Sequence, residues 1–279
     1  MTTSVLELPP RPAGETDPDD LFFVGNATVL IRCAGFTVLT DPNFLHRGER
    51  AYLGHGLWSK RRYDPAVELG ALPPLDAVVL SHLHGDHFDR VARRGLDKTV
   101  PILSTRHAVR RLRPQGFAAH ALDTWQSVEL RRGDASLKVT ALPGRHAPGP
   151  AQLLLPPVMG SLLEFRRHAG DEPFRLYLSG DTLLHDDLRT IRSREPDLDM
   201  AVLHLGGTRI LGLLVTMDGR QGVDLLRLLR PKRAVPVHFD DYEVFTSPLA
   251  DFQTAVTAAG DLTTEVTYLD RGGRTPLRA

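Results

Sequence analysis

The stretch Ser81-His82-Leu83-His84-Gly85-Asp86-His87-Phe88-Asp89 places three imidazoles and two carboxylates directly after the apolar run Ala77-Val78-Val79-Leu80. Alternate side chains of an extended segment share a face, so His82 and His84 can grip one ion. Asp86 and His87, beyond the turn at Gly85, can face a second. Imidazole nitrogen and carboxylate oxygen suit borderline ions such as zinc, and a catalytic site keeps a position open for water. A lone histidine in such a place more often caps a strand or satisfies a loop. A whole run of ligand-type residues in a strand-then-loop context points to metal.

Other apolar runs also end in ligand-type residues. Val139-Thr140-Ala141-Leu142 leads to His146, Leu176-Tyr177-Leu178-Ser179 to Asp181, and Val235-Pro236-Val237 to His238. Taken singly, the two histidines read as surface or core residues and Asp181 as a helix cap. Their shared position raises all three, because strand ends on one edge of a layered sheet can converge on one cleft. His204 follows Met200-Ala201-Val202-Leu203 in the same way. It is either a proton donor to a leaving group at the rim of that cleft or a hydrogen-bonded core histidine.

The elements that must position these residues follow from pattern. Ala27–Cys33 and Phe36–Thr40 read as a hairpin turning at Ala34-Gly35 and ending at Asp41-Pro42. Residues 43–75 read as a long irregular loop, of a length that is usually functional. Strands are expected at 77–81, 101–104, 137–142, 174–179, 200–204 and 234–238, and helices at 90–94, 107–113 and 219–229. The last has Asp218 at its N-cap and Pro231 past its end. The mixture predicts sheets covered by helices, in one domain over 21–279 after a loose Pro- and acid-rich lead-in over 1–20.

The 34 basic and 34 acidic residues cancel, so no global field favours nucleic acid or an anionic membrane. A small-molecule partner is expected instead. No apolar run reaches the roughly 18 residues that span a bilayer. The single cysteine, Cys33, excludes an internal disulfide, and the first twenty residues lack an apolar leader, so a reducing cytoplasm is expected.

Together these residues resemble a metallo-β-lactamase-fold hydrolase over roughly residues 21–270. That family's pattern is an aspartate after a β-hairpin, then His-x-His-x-Asp-His, then a histidine, an aspartate and a final histidine, each after a strand. Here they are Asp41, then His82, His84, Asp86 and His87, then His146, Asp181 and His238. The resemblance implies an α/β fold, an αββα sandwich of two mixed β-sheets flanked by helices, with the site along one edge. It assigns His82, His84 and His146 to a first metal and Asp86, His87 and His238 to a second. Asp181 would bridge them, and Asp41 would orient the ligands without binding metal. Two divalent ions are implied, zinc by default, with manganese and iron also suited to the ligands. The nucleophile would be a metal-bridging hydroxide.

Length and termini set the chain apart from nuclease, glyoxalase-type, flavodiiron and secreted β-lactamase branches. It looks like the branch of ascorbate-6-phosphate lactonase and N-acylphosphatidylethanolamine phospholipase D. The stretches Phe23–Ile31, Thr40–Phe44, Leu72–Asp76 and Pro236–Phe239 carry that likeness. Asn26 departs from it, standing where many relatives have histidine. Cleavage of an ester, lactone or phosphodiester bond is implied, and such proteins often self-associate, although nothing in this chain marks a homo-oligomer interface.

Two segments could set the substrate. Residues 147–160, APGPAQLLLPPVMG, form either a stiff apolar wall for a partly apolar substrate or simple packing against the sandwich. Arg47, Arg50, His55, Trp58, Arg61 and Arg62 form either an anion site or a solvated basic loop. Asp240, Asp241 and Tyr242 could orient His238 or belong to ordinary surface. Two rivals remain beside the general hydrolase: a dedicated phosphodiesterase or phospholipase-D-like enzyme, and a non-catalytic metal-stabilised binding or sensor module.

Overall fold

Alternation of large apolar residues builds a sandwich with helices on both outer faces, as the computed structural model of the chain shows for residues 3–10 and 18–278. One sheet has seven strands in the order Arg274–Pro276, Asp20–Gly25, Thr28–Cys33, Phe36–Thr40, Ala77–Leu80, Ile102–Ser104 and Ala119–Ala121. The other has eight, in the order Thr3–Glu7, Ser127–Arg132, Ala135–Leu142, Gly160–Arg166, Phe174–Leu178, Met200–His204, Arg233–Val237 and Glu265–Val266. Each contains parallel and antiparallel pairs.

The strand period of two sorts side chains between faces. Leu21, Phe23, Ala77 and Val79 enter the core between the sheets, where they meet residues such as Val139, Leu176 and Val235. Their neighbours Phe22, Val24, Val78 and Leu80 point the other way, under the helices Arg90–Gly95 and Arg106–Leu112. Behind the second sheet the helix Gly219–Leu229 buries Val223, Leu225, Leu226 and Leu229. Its N-cap is Asp218, whose side chain accepts from Gln221 N, as the sequence predicts.

Parallel pairing fixes where the strands end. Phe36–Thr40 runs parallel to Ala77–Leu80, and Phe174–Leu178, Met200–His204 and Arg233–Val237 run parallel to one another. Their C-terminal ends therefore deliver Asp41, His82, Asp181, His204 and His238 to one edge.

Two expectations need correction. The lead-in is not loose throughout: Thr3–Glu7 is an edge strand in parallel register with Ser127–Arg131. That pairing is invisible locally because its partner lies more than a hundred residues away. Residues 43–75 are not irregular throughout either, since Arg50–Gly54 and Leu57–Lys60 form a hairpin. Its turn uses Gly54, His55 and Gly56, all at positive φ.

Candidate metal centre

Three imidazoles form the first donor group. His82 Nε2 lies 2.9 Å from His84 Nδ1, and His146 Nε2 lies 3.3 Å from the same atom. Second contacts fix the rings: His82 Nδ1 meets Ser81 Oγ at 3.0 Å, and His146 Nδ1 donates to the Val215 carbonyl at 2.7 Å. The remaining nitrogens point inward together, as metal-binding histidines do when their other nitrogen is held. Burial pushes all three imidazoles toward the neutral form, helped at His82 by His87 and at His84 by His146; His84 is pushed down to about 3. Neutral imidazole is the form that donates a lone pair to a metal.

Asp86, His87 and His238 form the second group. Asp86 Oδ2 is 3.3 Å from His238 Nε2 and 3.7 Å from His87 Nε2. His238 Nδ1 faces the Leu205 carbonyl at 3.1 Å, leaving Nε2 for the centre. Asp181 stands between the groups, with Oδ2 3.3 Å from His87 Nε2, and it belongs to a third close cluster with His82 and His87. Within each of these clusters one donor atom per residue lies within 4.8 Å of the others.

Asp41 completes the arrangement from below. It accepts from Ser81 N at 2.7 Å and Ser81 Oγ at 2.9 Å, and its Oδ2 is 3.1 Å from His87 Nδ1. Burial would raise its carboxyl, but His87 and His204 outweigh that and hold it down at about 2. Burial would likewise lower His87, yet Asp181, Asp86 and Asp41 drive it well above the ordinary imidazole value. His238 is raised because Asp181 and Asp86 outweigh its burial. The carboxylates thus call for positive charge at this spot, which a bound cation supplies.

The donor set fits metal on a separate ground. Asp86 Oδ1, His87 Nε2 and Asp181 Oδ1 are buried atoms with no hydrogen-bond partner. Buried polar atoms are ordinarily paired, and a bound cation would satisfy these three, which all belong to the donor clusters.

All the histidines and aspartates expected at the site are brought together there, but His204 is not at the rim. It is 1% exposed beneath the cluster, with Nε2 3.2 Å from Asp41 Oδ2 and Nδ1 3.2 Å from Ser179 Oγ. Arg61 does not belong to an exposed basic loop either. It is buried, donating to the Tyr63 carbonyl at 2.9 Å and the Asn43 carbonyl at 3.0 Å, and faces Asp241. Asp241 in turn holds Arg271 and Asn26 N and does not touch the His238 ring.

Several positioning residues escaped the sequence reading. Ser81 links Asp41 to His82, and Thr216 Oγ1 donates to Asp181 Oδ2 at 3.1 Å. Asn26 Nδ2 donates to the Asp86 carbonyl at 2.7 Å, while its own carbonyl accepts from His238 N at 2.9 Å. Ser81 adjoins a ligand and Asn26 lies in a recognised stretch, whereas Thr216 carries no such signal.

A family model described as "Beta-lactamase superfamily domain" matches residues 37–239. The chain belongs to the β-lactamase superfamily. Relatives of this superfamily member include a UPF0173 metal-dependent hydrolase of Deinococcus radiodurans, 32% identical over 209 residues that cover 72% of this chain and 80% of the relative. Another, from Staphylococcus saprophyticus, is 26% identical over 245 residues, covering 85% and 92%. Among solved structures, a protein described as a "possible metal-dependent hydrolase" from Veillonella parvula superposes with TM-score 0.77 at 21% identity, covering 93% of this chain and 100% of that one. An isothiocyanate hydrolase from Delia radicum gut bacteria gives 0.75 at 20% identity, covering 93% and 100%. These two likenesses speak to the fold. The superfamily member is thus a metal-dependent hydrolase with a metallo-β-lactamase fold. Among the described residues no helix is long and apolar enough to cross a membrane.

Proposed function

We propose that the chain is a binuclear hydrolase that cleaves an ester, lactone or phosphodiester bond of a small substrate in a reducing, cytoplasmic compartment. The observation that carries this reading is a pair of three-donor groups joined through Asp181, with Asp86 Oδ1, His87 Nε2 and Asp181 Oδ1 buried and unpartnered. His82, His84 and His146 would hold one ion, Asp86, His87 and His238 the other, with Asp181 shared. Zinc is the default for such ligands, and manganese and iron also suit them. Two divalent ions held there would supply Lewis acidity and make water a competent nucleophile near neutral pH.

The protein's part is to aim and charge the donors. Asp41 accepts the His87 Nδ1 proton, which leaves Nε2 with its lone pair toward the centre. The Val215 and Leu205 carbonyls do the same for His146 and His238. His204 supports Asp41 and acts as a positioning residue, because both its ring nitrogens are engaged, Nε2 by Asp41 and Nδ1 by Ser179. Substrate approaches past His84, the most exposed of the donors at 9%. The ester-type bond rests on the branch resemblance of the stretches around Asp41 and His238.

Elemental analysis of the purified protein and of Asp181→Asn and His84→Ala tests this, with turnover of a lactone, a carboxylic ester and bis(p-nitrophenyl) phosphate measured in parallel. About two ions per wild-type chain, lower occupancy in both variants and at least about a hundredfold loss of turnover are expected. Chelation should abolish turnover and re-addition of metal restore it. Activity confined to the phosphodiester would make the protein a dedicated phosphodiesterase. A chain that stays metal-free and inactive after reconstitution with zinc, manganese or iron would leave the non-catalytic binding module in front.

A further inference from the structure

The mouth of the metal centre has two chemically opposite sides. On one side a cavity of about 540 Å³ is walled by Leu53, Leu57, Leu155, Leu213 and Val215, with Trp58 at its edge. This cavity adjoins another of about 720 Å³ that reaches His84, and His55, Leu154 and Leu155 line both. The His55 ring meets the Leu154 carbonyl and ties the 50–60 hairpin to the 147–155 segment across the cavity. Loop residues at its margin leave costly apolar surface in water, with Leu211 99% and Leu154 65% exposed.

On the other side a cavity of about 600 Å³ reaches His84 and Gly85 and is lined by Arg50, Arg90, Arg93 and Arg111. Arg90 pairs with Glu49. Arg50, Arg93 and Arg111 have no carboxylate partner among the described residues; Arg111 reaches only the His107 carbonyl, at 3.4 Å. The one acid in this lining, Asp89, is committed to the backbone N–H groups of Phe44, Leu45 and Ala92. Unpaired guanidinium groups gathered beside a cleft in a chain of zero net charge make a local field for an anion. Trp58 lines both cavities, and the cavity that reaches His84 shares His55 and Leu155 with the first and His84 and Arg111 with the second, so the three adjoin at the His84 side of the centre.

We propose that the substrate is an anionic amphiphile, with a hydrocarbon arm in the leucine-lined cavity and a carboxylate, sulfate or phosphate group on Arg50, Arg93 and Arg111. This rests on the hydrolase reading and names the class of molecule that the centre receives. A substrate held at both ends across His84 has its central bond fixed over the donors, which is how remote binding energy serves the reacting centre.

Calorimetric titration of the metal-loaded protein with methanesulfonate, butanesulfonate, octanesulfonate and 1-octanol tests the proposal, since sulfonates are poor metal ligands. Affinity should rise up to about three- to fourfold per methylene. Octanesulfonate should bind at least about tenfold more tightly than octanol. In the Leu57→Asp/Leu213→Asp protein the dependence on chain length should disappear. In the Arg93→Ala/Arg111→Ala protein the sulfonate preference should fall about tenfold while octanol still binds. Circular dichroism checks that both remain folded. Octanol binding as tightly as octanesulfonate, a preference that survives loss of the arginines, or no binding at all would overturn the proposal. Binding seen only with micelles or vesicles would overturn it in favour of a membrane-docking surface. Metal content and turnover of a short neutral ester on the same samples separate this failure from failure of the hydrolase reading itself.

Discussion

Asn26 occupies the left-handed region at φ 51°, and the neighbouring site residues Asp41 and His238 do so at 35° and 61°. Such conformations cost energy in non-glycine residues and persist only where the surroundings hold them. Asparagine tolerates this region better than most, and its amide ties the Asp86 carbonyl while its backbone carbonyl takes His238 N. Both contacts serve the second donor group and neither reaches the first. Asn26→Ala is therefore expected to weaken metal binding at the Asp86, His87 and His238 group by about ten- to a hundredfold and to spare the His82, His84 and His146 group. Stepwise titration with a competing chelator reads the two affinities separately. An equal loss at both groups would show that Asn26 acts on the whole edge of the sandwich.

The hairpin Arg50–Gly54 and Leu57–Lys60 is the element that shapes the mouth, and two close contacts hold it in place. Gly85 N donates to the Tyr52 carbonyl at 2.9 Å, and a Cβ on Gly85 would lie 2.7 Å from Tyr52 backbone atoms. Glycine is thus needed there so that the loop carrying His84 and Asp86 and the hairpin can touch. At the far end Arg61 is buried against Asn43, Tyr63 and Asp241. Removing one partner of a buried ion pair leaves the other charge uncompensated, although Arg271 still reaches Asp241. Arg61→Met should lower stability by about 3 kcal/mol, read as a fall in the urea midpoint at constant slope. A loss under about 1 kcal/mol would mean that Arg271 alone satisfies Asp241.

Across the whole molecule, the sandwich is closed where distant parts of the chain meet. Asp20 accepts both forks of Arg32 at 2.8 Å and takes Arg274 from the last strand at 2.9 Å. Burial would raise its carboxyl, but Arg32 first and Arg274 second hold it below the ordinary value. A carboxyl lowered in the folded state adds stability that is complete above the unfolded value, about 3.9, and is lost as pH falls through the folded one. Asp20→Asn should cost about 1–3 kcal/mol at pH 7. The gap between wild type and variant should hold from pH 8 to 6 and shrink below about pH 4, as urea unfolding across that range would reveal. A gap that stayed constant at low pH would assign the effect to packing and not to charge.

The sequence by itself determined which residues are candidate donors, because metal chemistry restricts residue types and the strand-then-loop rhythm restricts their place. His82, His84, Asp86 and His87 sit in one short run that points to metal by itself, whereas His146, Asp181 and His238 each follow an apolar strand and joined the candidate set through the family resemblance. The Phe36–Thr40 hairpin arm and the Gly219–Leu229 helix were legible for the same reason, each having its own turn or cap signal. Tertiary structure alone decided everything that depends on partners far apart in the chain. It paired Thr3–Glu7 with Ser127–Arg131, buried Arg61 on Asp241, drew His204 under Asp41, and gathered leucines and arginines from distant segments into cavities that adjoin the one at His84. Such contacts carry no periodicity or spacing of their own, since a side chain's partner is set by the closure of the sandwich and not by its neighbours in sequence.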